Sequence, residues 1–141
     1  MGKDGQPDTT QVTQTPTILY IEDNLDNQKL VMRVLQAAGY QVHGASDGPS
    51  GFAYLQTHTP DLILMDIHLP GMDGFTMTRQ LRQNEQFAFT PIITLTANVT
   101  QEDQQRSREV GSNGFIQKPI NVDSLPDQIQ AFLASSKRET P

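Results

Sequence analysis

The sequence predicts an α/β fold, a doubly wound parallel sheet of five strands. Three observations predict it. Leu62-Ile63-Leu64-Met65 runs without a polar break, as a strand does when both of its faces are covered by helices. Comparable short apolar runs, 17–21, 91–95 and 115–116, recur between stretches whose apolar residues have helical spacing. Each run also stops at residues able to do chemistry: Glu22-Asp23, Asp66, Thr96 and Lys118. In open α/β sheets, ligands bind at the C-terminal edge of the strands.

Composition narrows the function classes. At 141 residues the chain is long enough for one domain with a good core. A net charge of −6 and the lack of any basic stretch argue against nucleic acid or an anionic membrane as the main partner. There is no cysteine, so disulfides and thiolate metal sites are excluded. No apolar run has the length needed to cross a bilayer and no signal-peptide pattern opens the chain. A cytoplasmic location is expected.

In chain order, residues 1–16 are dominated by Gly, Asp, Gln, Thr and Pro and are expected to be a disordered tail. The first strand is 17–22. Asn24 caps a helix over 25–38, whose face is Leu30, Val31, Val34, Leu35 and Ala38, and Gly39 ends it. An edge strand with one wet face follows at 40–45. Asp47 caps a helix over 48–57, with Pro49 in its first turn and Phe52 and Leu55 turned inward. Strand 61–66 precedes a helix over 74–84 that buries Phe75, Thr78 and Leu81. Strand 91–96 comes next. The helix expected at 100–110 has no aliphatic residue between Gln101 and Glu109, so it has little to dock with and is expected to be marginal. Strand 113–117 leads to Ser124 and Asp127, which have capping-box spacing for a helix over 125–133. Residues 135–141 are expected to be a disordered polar tail, which leaves 17–134 as the domain.

Five strands alternating with five helices imply right-handed crossovers, so the strand ends share one edge. Glu22, Asp23 and Asp66 would repel one another there. A hard divalent cation relieves that clash, and Mg²⁺ suits a site of oxygen ligands with an incoming phosphate. Asp66 can then act as an ionised nucleophile toward phosphorus. Lys118 and the Thr96 hydroxyl are suited to the spread negative charge of a transferred phosphoryl group.

With these residues in place, the chain resembles the receiver domain of two-component response regulators, from about Thr17 to Leu133. The resemblance implies a flavodoxin-like (βα)5 fold with strand order 2-1-3-4-5. It implies that Asp66 is the phosphoacceptor, Asp23 a direct Mg²⁺ ligand and Glu22 an acid reaching the metal through water. The His68 backbone carbonyl would be a further ligand. Thr96 matches the switch hydroxyl, Phe115 the switch aromatic and Lys118 the phosphate-binding lysine. Pro119 matches a cis proline. The side chains of His68 and Asn98 flank the path of the hydrolytic water and would tune dephosphorylation. The implied partners are a sensor histidine kinase or a histidine phosphotransfer protein. A downstream protein would be bound through the face of helix 4, strand 5 and helix 5.

The remaining candidates read more plainly. His43 and His58 are expected to face solvent with no role in the site, and Asp61 and Asp73 to be turn or capping acids. An aromatic in an edge strand is ordinarily half-buried packing, so the switch role of Phe115 rests on the resemblance. Two other functions compete. A haloacid-dehalogenase-type phosphatase also uses a strand-end Asp, but it wants a second Asp two residues later, where this chain has His68. A phosphorylation-independent interaction module would have no need of Asp66, Thr96 and Lys118 together. The expectation is therefore a stand-alone, single-domain regulator of the chemotaxis-regulator type. It is a signalling phosphoacceptor rather than an enzyme.

Overall fold

The structure is a computed structural model and describes residues 15–97 and 99–139, the last four by backbone alone. The strands are β1 Thr17–Ile21, β2 Gln41–Ala45, β3 Leu62–Asp66, β4 Ile92–Thr96 and β5 Gly114–Gln117. Between and after them run the helices α1 Leu25–Ala37, α2 Gly48–Leu55, α3 Gly74–Arg82, α4 Gln101–Glu109 and α5 Leu125–Glu139. A short 3₁₀ turn, Glu85–Phe87, lies between α3 and β4. All strands pair in parallel in the order β2-β1-β3-β4-β5. The predicted fold class and strand order are those observed.

Alternation along the strands divides the core in two. On one face Ile18, Tyr20, Leu62, Leu64, Ile93 and Leu95 meet Val31 and Leu35 of α1 and Leu125 and Ile129 of α5. On the other, Leu19, Ile21, Ile63, Met65 and Ile92 meet Leu55 of α2 and Met77 and Leu81 of α3. β3 is buried along its full length, as its unbroken apolar run requires. The edge strand β2 exposes Gln41 and His43.

Local signals set the helix starts. The Asn24 side chain accepts from the Asn27 N–H at 2.9 Å, and Asp47 accepts from the Ser50 N–H at 2.8 Å. Backbone hydrogen bonding from Ser50 holds the Asp47 carboxyl below the usual range. Asp73 caps α3 in the same way through the Thr76 N–H at 2.8 Å. Asp61 accepts from the Thr17 N–H at 2.8 Å and so ties the start of β3 to the start of β1. Gly39 follows α1 with φ of 102°, the left-handed conformation that favours glycine.

The structure corrects several expectations. α5 continues to Glu139, so 135–139 are helix and not tail. No Pro or Gly lies between Asp127 and Thr140 to stop it. Of the tail expected over 1–16, residues 1–14 lie outside the described residues. Pro16 is already part of the sheet edge, its carbonyl accepting from the Gln41 N–H at 3.0 Å. Leu30 does not join the α1 seam. It is 48% exposed, because Val31 and Leu35, one turn apart, take the buried stripe. The Ser124 hydroxyl turns back to the Asn121 carbonyl at 3.3 Å. The turn before α5 is thus shaped by Asn121 rather than by a Ser124–Asp127 box.

α4 also has more to dock with than its sequence suggests. Ser107 is buried, and its hydroxyl lies 2.9 Å from Thr94 Oγ1 on β4. Thr94 Oγ1 donates in turn to Ser112 Oγ at 2.9 Å. Ser112 Oγ sits 3.0 and 2.8 Å from the Ile92 and Gly114 carbonyls. Hydroxyl bonds under α4 replace the aliphatic contacts it lacks. Val110 closes its C-terminal end against Ile67 and Phe75, and the Arg106 guanidinium stands 4.7 Å over the Phe75 ring.

Candidate functional site

β1 and β3 are adjacent, with Ile21 opposite Met65, so their next residues emerge side by side. Glu22, Asp23 and Asp66 each bring an oxygen to this point, and those atoms all lie within 4.8 Å of one another. Glu22 is fully buried, Asp66 is 2% exposed, and Asp23 faces solvent. The cluster therefore has a closed floor and an open side. β5 supplies the counter-charge, since Lys118 Nζ lies 2.9 Å from Asp66 Oδ2 and 3.0 Å from Glu22 Oε1. The Lys118–Pro119 peptide bond is cis. Partial burial pulls the Lys118 ammonium down. Its hydrogen bonds to Asp66 and Glu22, together with their charges, outweigh this and hold it above the ordinary lysine value.

Backbone groups complete the cradle. The His68 N–H donates to Asp66 Oδ1 at 3.0 Å, and the Asn24 N–H donates to Glu22 Oε2 at 3.2 Å. The Gln28 amide donates to the Glu22 and Ala45 carbonyls at 3.1 and 3.2 Å, fastening β1 to β2 where the cluster begins. Gly74 opens α3 against the backbone of the same strand end. A Cβ there would stand 2.5 Å from the Asp66 carbonyl oxygen and 2.8 Å from Ile67 Cα. Only glycine lets the helix come so near.

Thr96 is buried at the end of β4, and its carbonyl accepts from the Lys118 N–H at 2.7 Å. Phe115 is half-buried in β5 opposite Thr94. Phe115, Thr96, Phe75, Val99 and Ser107 enclose a void of about 10 Å³, with room for no more than one water. The His68 side chain is exposed. Asn98 lies outside the described residues. His43 and His58 are both exposed and sandwich Tyr54, each ring stacked at 4.2 Å.

Sequence reasoning missed Tyr20. Its hydroxyl donates to Glu22 Oε1 at 3.0 Å. Burial first, and then the Glu22 charge and this hydrogen bond, push its phenol well above the usual tyrosine value. Two-residue alternation along β1 was the available signal, because it places Tyr20 and Glu22 on the same side.

Three carboxylates face one ammonium, so the cluster keeps an excess of negative charge in a largely buried setting. Carboxylate oxygens, the donors that Glu22, Asp23 and Asp66 offer, are what a hard cation such as Mg²⁺ prefers. The donor set fits the expected ion.

This is a parallel α/β domain with its polar cluster at the switch point of the sheet. The chain belongs to the response regulator receiver domain family, whose model matches residues 18–130. It is similar to the polar-differentiation response regulator DivK of Brucella ovis, with 34% identity over 122 residues, covering 86% of this chain and 99% of that protein. Among solved structures it resembles the chemotaxis response regulator CheY4 of Vibrio cholerae, with 33% identity and a TM-score of 0.81, covering 84% of this chain and 99% of that one. It also resembles the receiver domain of a Pseudomonas aeruginosa PAO1 sensor histidine kinase, solved with a magnesium ion coordinated in its active site cleft. There the identity is 34% and the TM-score 0.78, covering 85% of this chain and 98% of that one.

Proposed function

We propose that this chain is a phosphorylation-switched signalling module that accepts a phosphoryl group on Asp66. The observation that carries the reading is the pairing of Asp66 with Lys118 at 2.9 Å inside the acidic cluster. An Asp66 oxygen attacks phosphorus as the bond from phosphorus to the donor imidazole nitrogen breaks. The electron pair of that bond leaves with the imidazole, and an aspartyl phosphate remains. Lys118 is placed to shift from Asp66 Oδ2 to a phosphoryl oxygen. Glu22, Asp23 and Asp66, with the His68 carbonyl, are the residues that would hold Mg²⁺, which when bound supplies positive charge to the phosphoryl group.

The donor is a phosphohistidine on a sensor kinase or a histidine phosphotransfer protein. It must bring an imidazole to Asp66 and therefore covers the neighbouring surface. A groove of about 380 Å³ runs there beside Lys118, walled by Leu30, Val31, Ala97, Pro119 and Ile120. The exposure of Leu30 makes sense as part of this docking face.

For output, the Thr96 hydroxyl moves toward the phosphoryl oxygens, and Phe115 turns into the space behind β4. The void now present is too small for a phenyl ring, so the two movements are coupled, as packed interiors require. The face of α4, β5 and α5 is then reshaped for a downstream protein. His68, beside the acceptor, and Asn98 are the residues that set how long the phosphoryl group lasts. Among the described residues no helix is long and apolar enough to cross a membrane, and a cytoplasmic setting suits a kinase-facing partner.

Transfer from a phosphohistidine donor tests the proposal. A phosphotransfer protein labelled on histidine should lose its label to this chain and retain it when offered Asp66→Asn. Equal transfer to both would refute the assignment of Asp66.

A further inference from the structure

None of the roles above uses the Tyr20 hydroxyl. Tyr20 is fully buried, with Ile18, Leu62, Leu64 and Leu95 in the same apolar cluster. A ring alone would fill that space. A phenol in it carries a desolvation cost unless its hydroxyl is bonded. The hydroxyl is spent on one acid of the cluster, Glu22 Oε1 at 3.0 Å.

Glu22 is held at three points. Oε1 receives Tyr20 and Lys118, each at 3.0 Å, and Oε2 receives the Asn24 N–H at 3.2 Å. These donors differ in permanence. Lys118 is divided between Glu22 and Asp66 and is free to follow charge. Tyr20 is locked in the core and cannot follow.

We propose that Tyr20 is a positioning residue for the cation site, its buried hydroxyl fixing the Glu22 carboxylate while Lys118 moves to a phosphoryl group on Asp66. The inference rests on the reading of Glu22, Asp23 and Asp66 as the Mg²⁺ site. Groups that orient metal-binding carboxylates from behind set how well those carboxylates bind, since a ligand that must first be ordered binds more weakly.

The test is Mg²⁺ titration by calorimetry of the full chain as wild type, Tyr20→Phe, Glu22→Ala and the double variant. Tyr20→Phe keeps the ring and should bind Mg²⁺ about tenfold more weakly. Glu22→Ala and the double variant should bind equally, because the hydroxyl acts only through Glu22. Unchanged affinity in Tyr20→Phe, or the same loss with Glu22 absent, would overturn the proposal, since a packing role shifts only the melting temperature. Tyr20→Met, which also lacks the hydroxyl, should match Tyr20→Phe and decides the matter if that variant does not fold.

Wild-type chain carrying ¹³Cζ-labelled tyrosine gives a readout with no change at Tyr20. The Tyr20 resonance should shift with Mg²⁺ at the calorimetric midpoint, and a resonance that stays still would also overturn the proposal. No Mg²⁺ binding by the wild type would overturn the cation site itself, and this inference with it. A wild type that binds normally confines any failure to Tyr20.

Discussion

Lys118 Nζ lies 2.9 Å from Asp66 Oδ2, a contact between residues 52 apart in sequence. The ammonium partly neutralises the acidic cluster before any other cation arrives. Replacing it by a neutral side chain should therefore act in two opposite directions. Lys118→Met should bind Mg²⁺ several-fold more tightly, because one competing positive charge has gone. It should also accept a phosphoryl group far more slowly, because the charge on the transferring group loses its partner. Calorimetry and a phosphorylation time course on the same sample check both, and parallel losses would contradict this account.

The same pair fixes a pH dependence. Lys118 is held above its ordinary value by Asp66 and Glu22, and Tyr20 is held above its own, chiefly by burial. Each keeps its proton longer in the folded state than in the unfolded chain. Their contribution is thus complete below the ordinary values, roughly pH 10 for both, and is lost as pH rises through the raised ones. Stability from these groups should be flat between about pH 7 and 9 and decline above about pH 10. Urea unfolding of wild type against Lys118→Met and Tyr20→Phe measures this, with a shallower alkaline decline expected in both variants.

Much of the fold and of the candidate site was legible because both depend on where short strands stop. The fully buried run of β3 and the acids after β1 and β3 are local facts of sequence, and adjacency of those strands turns them into a cluster. Caps at Asn24 and Asp47 were legible for the same reason, since each acts within one turn. Contacts across elements were not. Nothing local says that Thr94, Ser107 and Ser112 will share hydrogen bonds and let a polar α4 dock. Nor does local spacing say that Leu30 will lie open beside Lys118. The end of α5 was misplaced because 134–139 has no large apolar residue to extend the buried face, although Ala134, Lys137, Arg138 and Glu139 are good helix formers and no breaker stands among them.

The hydroxyl chain beneath α4 should behave as a unit. Ser107→Ala removes one member from a buried setting and should cost about 1–2 kcal/mol, as Thr94→Val should. The double variant Thr94→Val/Ser107→Ala should cost less than the sum, since the two hydroxyls satisfy each other. Denaturant melts of the three variants give the coupling, and strict additivity would show that the hydroxyls act independently. Because α4 docks largely through these few polar contacts, its opening should be frequent, and amide hydrogen exchange over residues 99–112 should slow when a phosphate mimic is bound. Equal protection with and without the mimic would place the output face elsewhere.

Gly74 should tolerate no side chain. Gly74→Ala puts a methyl group 2.5 Å from the Asp66 carbonyl oxygen, where backbone rather than a flexible side chain must yield. The expected cost is about 1–3 kcal/mol, with slower phosphorylation because the displaced backbone carries Asp66 itself. Stability and phosphorylation rate should fall together. A stable Gly74→Ala protein with an unchanged rate would show that the approach of α3 to β3 is not needed.

The central claim is that Asp66 takes the phosphoryl group with help from a bound cation. Intact-mass measurement after incubation with a small acyl phosphate and Mg²⁺ tests it most directly. The wild-type chain should gain the mass of one phosphoryl group; the gain should not form when the metal is chelated before incubation or in Asp66→Asn, and once formed it should be lost on treatment with mild base. A gain of the same size in Asp66→Asn, or none in the wild type with Mg²⁺ present, would contradict the account.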